Sequence, residues 1–109
     1  MRLNATKEAE GARLTLVFGA LADPTRRRVV ELLRESPYRA SDLAEACEAS
    51  RSAMSRHLRV LRTAELIEEE QGGDDRDLRE RTYRLKAAPF EELRGWLEEL
   101  DQFWSAQLS

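Results

Sequence analysis

Residues 50–63 read Ser-Arg-Ser-Ala-Met-Ser-Arg-His-Leu-Arg-Val-Leu-Arg-Thr, and this stretch decides how the rest of the chain is interpreted. Met54, Leu58 and Leu61 stand at positions i, i+4 and i+7, which is the spacing of one apolar helix face. Ser50 is a favourable N-cap, so the pattern predicts a helix that runs to about Ala64. The predicted helix carries four arginines and no acid, a charge of +4, whereas the remaining residues sum to −7.

Three more helices are predicted before this stretch, over about 8–21, 24–34 and 42–48. Asp23 is the predicted N-cap of the second helix, Pro24 suits its first position, and Ser36-Pro37 ends it. Ser41 is predicted to cap the short third helix, whose core-facing residues would be Leu43, Ala46 and Cys47. The third and fourth helices together form a predicted helix–turn–helix over 41–64.

A hairpin and a long helix are predicted after the arginine-rich stretch. Gly72-Gly73 and Asp74-Asp75 are turn residues between two extended segments, which predicts a two-stranded hairpin over 66–85. Apolar residues then recur at intervals of three and four, which predicts a last helix over 89–107. The 109 residues are therefore predicted to form one mainly helical domain with a small β-hairpin, in the order four helices, hairpin, long C-terminal helix.

Composition excludes several classes of protein. The net charge of −3 excludes a polybasic protein that holds nucleic acid by bulk charge. The single cysteine cannot form an intrachain disulfide or a cysteine-rich metal cage, and it suits a reducing compartment. No apolar run is long enough for a membrane span or a secretory leader, so a cytoplasmic protein without membrane contact is expected. No catalytic constellation, glycine-rich phosphate loop or metal-ligand spacing is present, so we expect no enzyme activity, cofactor or metal.

The arginine-rich helix has the properties of a helix that reads double-stranded DNA. Such a helix needs an apolar face toward its own domain and a polar, cationic face toward the major groove. Arginine can donate two hydrogen bonds to guanine, and serine can bond a base or a phosphate. A solvated surface helix is the alternative. The predicted contacts are Arg51, Ser52, Ser55, Arg56 and Arg59.

Four segments resemble the ArsR-type winged helix–turn–helix transcriptional repressors. They begin at Ala20 (Ala-Leu-Ala-Asp-Pro-Thr-Arg-Arg-Arg-Val-Val), Ser41 (Ser-Asp-Leu-Ala), Ser52 (Ser-Ala-Met-Ser-Arg-His-Leu-Arg-Val-Leu) and Tyr83 (Tyr-Arg-Leu). The resemblance, which covers about 18–85, implies a homodimer that binds a palindromic operator. It also implies that the hairpin is the wing and that the first and last helices make the dimer. His57 joins the predicted DNA contacts through this resemblance.

The apolar content of the last helix independently predicts a dimer. It exceeds what one side of a small bundle readily covers, and a second subunit would place two recognition helices about 34 Å apart, one turn of DNA. A wide monomer core is the alternative. The predicted interface residues are Leu14, Phe18, Leu93, Trp96, Leu97, Leu100, Phe103 and Trp104.

The chain departs from the family pattern in three places. The paired cysteines and the Asp/His/His/Glu set that sense metal in many members are missing, which leaves Cys47 as a small buried hydrophobic residue. Release from DNA would then need a small molecule, a partner protein or simple autorepression.

The second departure is the acidic wing. Residues 65–80 carry eight acids and two arginines, so either Arg76, Arg79 and Arg81 reach the DNA past the acids or the recognition helix works nearly alone. A protein-interaction module without DNA affinity is the rival function.

The third departure lies at the end of the recognition helix. Glu65 stands where the family commonly has a glycine that terminates this helix in the left-handed conformation. Glutamate is sterically less favourable than glycine in the left-handed backbone conformation, so a different helix end is expected.

Overall fold

A computed structural model describes the backbone of residues 2–70 and 81–108 and the side chains of residues 6–70 and 81–108. These residues form five helices and three short strands. Their order is α1 (Arg2–Leu21), α2 (Pro24–Glu35), β1 (Tyr38–Arg39), α3 (Ala40–Ala46), α4 (Arg51–Thr63), β2 (Ile67–Glu69), β3 (Thr82–Leu85) and α5 (Ala87–Leu108). The mainly helical fold with a small sheet is as the sequence predicts.

The caps of α2 and α4 are those predicted. The Asp23 carboxylate accepts a hydrogen bond from the Arg26 N–H at 3.0 Å, and Pro24 occupies the first helical position. The Ser50 hydroxyl accepts one from the Ala53 N–H at 3.1 Å. Both caps satisfy amide groups that have no partner inside the helix, so they fix where each helix begins.

The two outer helices are longer than predicted. Helix α1 begins at Arg2 rather than Glu8, since no helix-breaking residue lies between them. Helix α5 begins at Ala87 rather than Pro89. The proline is compatible with this start because amides in the first helical turn need no partner within the helix.

The predicted Ser41 cap is wrong, and a strand that the sequence did not predict explains why. Tyr38 and Arg39 form β1, which pairs antiparallel with β3, and the Ala40 N–H donates to the Arg81 carbonyl at 3.0 Å. The chain therefore passes from the sheet directly into α3, whose N-cap is Arg39 without a side-chain cap bond. The predicted two-stranded hairpin is part of a three-stranded sheet in the order β1-β3-β2.

The core lies where α4 packs against the other elements. Residues Met54, Leu58 and Leu61 of α4 are at most 4% exposed, as predicted. They share the core with buried residues of α1, α2, α3 and the sheet, which include Val17, Val29, Leu43, Leu66, Ile67 and Tyr83. Ala46, predicted to face inward, is exposed, and Ala44 is buried instead. The inward face of α3 therefore consists of Leu43, Ala44 and Cys47 at i, i+1 and i+4, because α3 docks on the core with this side.

Two glutamates in the left-handed conformation end α3 and α4. Glu48 has φ 52° and Glu65 has φ 59°. At the end of α4, the Leu66 N–H donates to the Leu61 carbonyl at 3.0 Å and the Glu65 N–H donates to the Arg62 carbonyl at 2.9 Å. This is the Schellman pattern, accompanied by burial of both leucines. The expectation that Glu65 would alter this helix end is therefore wrong, because the buried leucine pair favours the motif.

Replacing Glu65 with glycine should raise the free energy of unfolding. Glycine adopts a positive φ without steric cost, whereas another residue pays about 1 kcal/mol or more, partly offset by the greater freedom of glycine when unfolded. We expect a net gain of about 0.5–1 kcal/mol in urea denaturation. Glu65→Ala removes the same charge without this freedom and serves as the control. Equal stability of the two variants would show that the backbone conformation carries no strain.

Candidate nucleic-acid interface

The side of α4 opposite the core is fully exposed. Ser52, Arg56, Arg59 and Thr63 follow one another at i, i+4, i+7 and i+11 and form its central row. Ser55 and Arg51 are exposed beside this row. The Ser52 hydroxyl lies 3.3 Å from that of the cap residue Ser50. The properties of the helix alone predicted five DNA contacts on α4. All five of these residues are exposed.

Three of the four α4 arginines are available to a ligand. Among residues 6–70 and 81–108, no carboxylate lies within ion-pair distance of the Arg51, Arg56 or Arg59 guanidinium. Arg62 differs, since its Nη1 lies 3.3 Å from Oε1 of Glu69. A cationic surface that is not neutralised by its own protein attracts polyanions.

A carboxylate shared by two arginines holds the sheet against α4. Glu69 Oε1 accepts hydrogen bonds from Arg62 Nη1 at 3.3 Å and from Arg81 Nη1 at 2.7 Å. The Arg81 side chain is only 27% exposed, and its buried Nε atom has no hydrogen-bond partner among the residues that the structure describes. Burial and the nearby Glu69 charge raise the pKa of Tyr83, which stays a neutral phenol beneath the cluster. The structure thus places Arg81, predicted to contact DNA, in an internal ion pair.

The base of the wing is less acidic in effect than its sequence suggests. Glu68 and Arg84 face each other across β2 and β3, with Oε1 and Nε 2.9 Å apart. Together with the Glu69 cluster, this pair neutralises two wing acids within the protein. Arg76 and Arg79, the other arginines predicted to reach DNA, lie outside the described residues, as do the acids of the tip.

His57 lies on the side of α4 that faces the start of α2, between the exposed row and the core. Its Nδ1 is 3.3 Å from Arg26 Nη1 and 3.9 Å from Asp23 Oδ2, and its side chain is 21% exposed. The hydrogen bond from the Arg26 amide is the main cause that lowers the pKa of Asp23, and the charges of His57 and Arg26 add to it. This cluster could not be predicted from local sequence patterns, because Arg26 and His57 are 31 residues apart.

The Asp23 cap should make stability depend on acid pH. Because the folded pKa is lowered, the unfolded state binds more protons as pH falls below about 4, and folding stability decreases there. Asp23→Asn retains a capping oxygen but cannot titrate. We therefore expect the stability advantage of the parent over this variant at pH 7 to shrink by pH 3 in urea denaturation. An advantage that is constant with pH would contradict the assignment.

The outer face of α5 is apolar and exposed. Phe103, Trp104 and Leu97 are more than half exposed, and Trp96, Leu100 and Phe18 of α1 are about 40% exposed. Phe18 and Trp96 contact each other edge to face, with ring centroids 5.2 Å apart, and Arg13 pairs with Glu92 at 3.1 Å to join α1 to α5. Leu14 and Leu93 are half-buried, and Leu93 packs against the core of its own chain. Six of the eight predicted interface residues are therefore accessible in the single chain.

Cys47 is half-buried at the C-cap of α3 and packs against the core. Burial raises the pKa of its thiol, which therefore stays protonated at neutral pH. In the described part of the chain, no group of three or more His, Cys, Asp and Glu side chains is placed to hold a metal ion. None of the described helices combines the length and apolar character needed to cross a membrane.

Comparison with known proteins agrees with the geometry of α3 and α4. Residues 23–69 match the model of the bacterial regulatory proteins of the arsR family. The chain is 39% identical over 90 residues to the HTH-type transcriptional regulator Rv2034 of Mycobacterium tuberculosis. The matched region covers 83% of this chain and 77% of Rv2034. The chain belongs to the ArsR family. The prediction made from its sequence motifs is confirmed.

A solved structure and a second curated protein also resemble the chain. The ArsR-like transcriptional regulator from Rhodococcus sp. RHA1 is 33% identical with a TM-score of 0.75, over 89% of this chain and 84% of that one. The transcriptional repressor SdpR of Bacillus subtilis is 40% identical over 57 residues, 52% of this chain and 63% of SdpR. The fold is a winged helix–turn–helix, and the protein is a DNA-binding transcriptional regulator of the ArsR family.

Proposed function

We propose that this ArsR-family protein is a homodimeric repressor that binds a palindromic operator in double-stranded DNA through the major groove. The observation that carries the proposal is the row of exposed α4 residues, whose arginines have no acidic partner among the described residues while the opposite helix face is buried. A helix anchored in this way presents its cationic face as a rigid surface. Binding in the groove needs such a surface, because a mobile helix would lose entropy on ordering.

The position of each residue on α4 suggests its role. Arg56 and Arg59 occupy the central row, where a guanidinium reaches base edges, and arginine matches the two acceptors of guanine. Ser52 and Ser55 lie in the first turns of the helix, the part that contacts bases in this class of motif. Arg51, at the start, suits a phosphate, and such contacts set the register of the protein on DNA.

We assign Arg81 a structural role in place of the predicted DNA contact. Its guanidinium bonds Glu69, which also bonds Arg62 of α4, so the three side chains fix the wing to the recognition helix. Breaking this partly buried ion pair to move the Arg81 guanidinium toward a phosphate would be costly. Arg79 remains a predicted phosphate contact of the wing.

Dimerisation is proposed on the exposed face of α5 together with Phe18 of α1. A contiguous apolar surface of this kind is uncommon on a monomer and marks an interaction site. A two-fold axis would bring the same face of two chains together and set two copies of α4 about 34 Å apart. The repressor assignment follows SdpR, a relative that carries the name transcriptional repressor. We further propose that the protein acts in the cytoplasm, without catalysis, cofactor, membrane contact or a metal-sensing site.

Selection of bound duplexes from a random pool, with the full chain at moderate salt, tests this function. We expect an inverted repeat whose half-site centres lie about 10–11 base pairs apart. Specificity, symmetry and spacing are thus read in one experiment. No enrichment of any sequence would contradict the proposal and favour the protein-interaction module. Enrichment of a single, unpaired site would contradict the homodimer.

A further inference from the structure

The side chain of Arg26 joins three helices at one point. Its Nε donates to the Ala20 carbonyl at 2.6 Å and its Nη2 to the Gly19 carbonyl at 3.1 Å, both in the last turn of α1. Its Nη1 lies 3.3 Å from Nδ1 of His57 on α4. Its own amide is held by the Asp23 cap at the start of α2. The guanidinium is thus fixed on one side by backbone carbonyls and presents its Nη1 group to the imidazole.

The chemistry of this contact determines where the imidazole proton resides. A guanidinium has donors and no acceptor, so the hydrogen bond requires Nδ1 of His57 to be the acceptor. The neutral imidazole then carries its proton on Nε2. A protonated ring would lose the acceptor and place a second cation beside Arg26, although the Asp23 carboxylate, 3.9 Å from Nδ1, would partly offset this repulsion.

The Nε2 atom of the mostly buried ring keeps some access to solvent. No described residue forms a hydrogen bond with Nε2, and Nε2 is not one of the buried side-chain atoms without a partner, so it keeps access to solvent. His57 follows Arg56 in the chain and therefore lies about 100° around α4 from it, on the side toward α2 and at the edge of the exposed surface. When a helix lies in the major groove, its flanks face the phosphates at the groove edges.

We propose that Arg26 is a positioning residue that fixes His57 as the Nε2–H tautomer, so that the neutral imidazole donates a hydrogen bond to a DNA phosphate. This inference rests on the proposed function of α4. It assigns His57 to the backbone rather than to the bases. It also gives Arg26, which is turned inward, an effect on DNA affinity.

The tautomer is measured first, on the free protein. His57 is the only histidine in the chain, so two-bond proton–nitrogen NMR at neutral pH shows a single imidazole. We expect a bare Nδ1 and a protonated Nε2. In Arg26→Lys the shorter point charge cannot reach both the carbonyls and the ring, so a mixture of tautomers is expected. Arg27→Lys is the matched control, since Arg27 also bonds a carbonyl of α1, that of Leu21, without reaching His57.

Binding is measured second, on the selected duplex and on a scrambled one. His57→Asn keeps an acceptor near the position of Nδ1 but has no group at Nε2. We expect its affinity to fall about two- to tenfold on both duplexes alike, the effect of one lost hydrogen bond that carries no sequence information. Arg26→Lys should weaken both by a similar factor, whereas Arg27→Lys should bind like the parent.

The outcomes separate this inference from the proposed function. A proton on Nδ1 in the parent protein, an unchanged tautomer in Arg26→Lys, or unchanged binding by His57→Asn would overturn the role of Arg26 and His57. A loss confined to the selected duplex would instead assign His57 to a base. If Arg26→Lys fails to fold, the parent tautomer and the His57→Asn affinities still decide. Absence of duplex binding by the parent, with the expected tautomer present, would contradict only the proposed function and the phosphate contact.

Discussion

Replacing Leu97 with glutamate is expected to produce a monomer whose operator affinity is reduced by more than about a hundredfold. Leu97 is half exposed in the single chain, so the change should leave the fold of each subunit intact. In a two-fold interface the same substitution places two unpaired carboxylates in apolar surroundings, which costs several kcal/mol. The monomer would then bind each half-site alone and lose the gain from simultaneous contact.

Sedimentation and fluorescence anisotropy measure the two effects on the same samples. Gln102→Glu is the control, since it adds the same charge to α5 at an exposed position on the side away from Leu97, Leu100 and Trp104. It should remain a dimer with nearly parental affinity. A dimeric Leu97→Glu, or a monomeric one that binds the operator as the parent does, would contradict the role of this face.

Replacing Arg56 with alanine is expected to weaken operator binding by about 1–3 kcal/mol. Arg56 is exposed in the central row of α4 and has no acidic partner among the residues that the structure describes, so its removal leaves folding nearly unaffected. The size of the loss is that of one bidentate contact with guanine, and it should appear on the selected duplex but not on a scrambled one. Anisotropy titrations at several salt concentrations measure it.

The salt series distinguishes two roles for Arg56. If the guanidinium contacts only phosphate, all sequences weaken alike and the salt dependence becomes shallower by about one unit of slope. Arg28→Ala is the matched control, because Arg28 is an exposed arginine of α2 that pairs with Glu31 at 3.7 Å. No loss on either duplex would remove Arg56 from the interface.

Local interactions were predictable from the sequence. The Asp23 and Ser50 caps were predicted correctly because each depends on a side chain and an amide three residues away. The buried row of α4 was predicted because its period is set by the helix itself. The excess of apolar residues on α5 was recognised because its pattern is wider than one contact face requires, and five of the six α5 residues predicted in the interface are exposed.

Contacts between distant parts of the chain were not predictable. Strand β1 has two residues, too few to show alternation, and it exists because Tyr38 pairs with Tyr83. The Arg81–Glu69–Arg62 cluster depends on the register of β2 and β3 and on the docking of α4. The sequence alone therefore does not show which arginines pair with an acid of the same chain and which are left to bind DNA. The same is true of His57, whose neighbour Arg26 is contributed by another helix.

Methylation interference on the selected duplex tests most directly whether α4 lies in the major groove. A methyl group on guanine N7 occupies the acceptor that an α4 arginine would use. The account predicts interference at guanines in two half-sites about one helical turn apart, and its loss at one position per half-site in Arg56→Ala. Full binding to duplexes methylated at N7, with interference only from methyl groups in the minor groove, would contradict it.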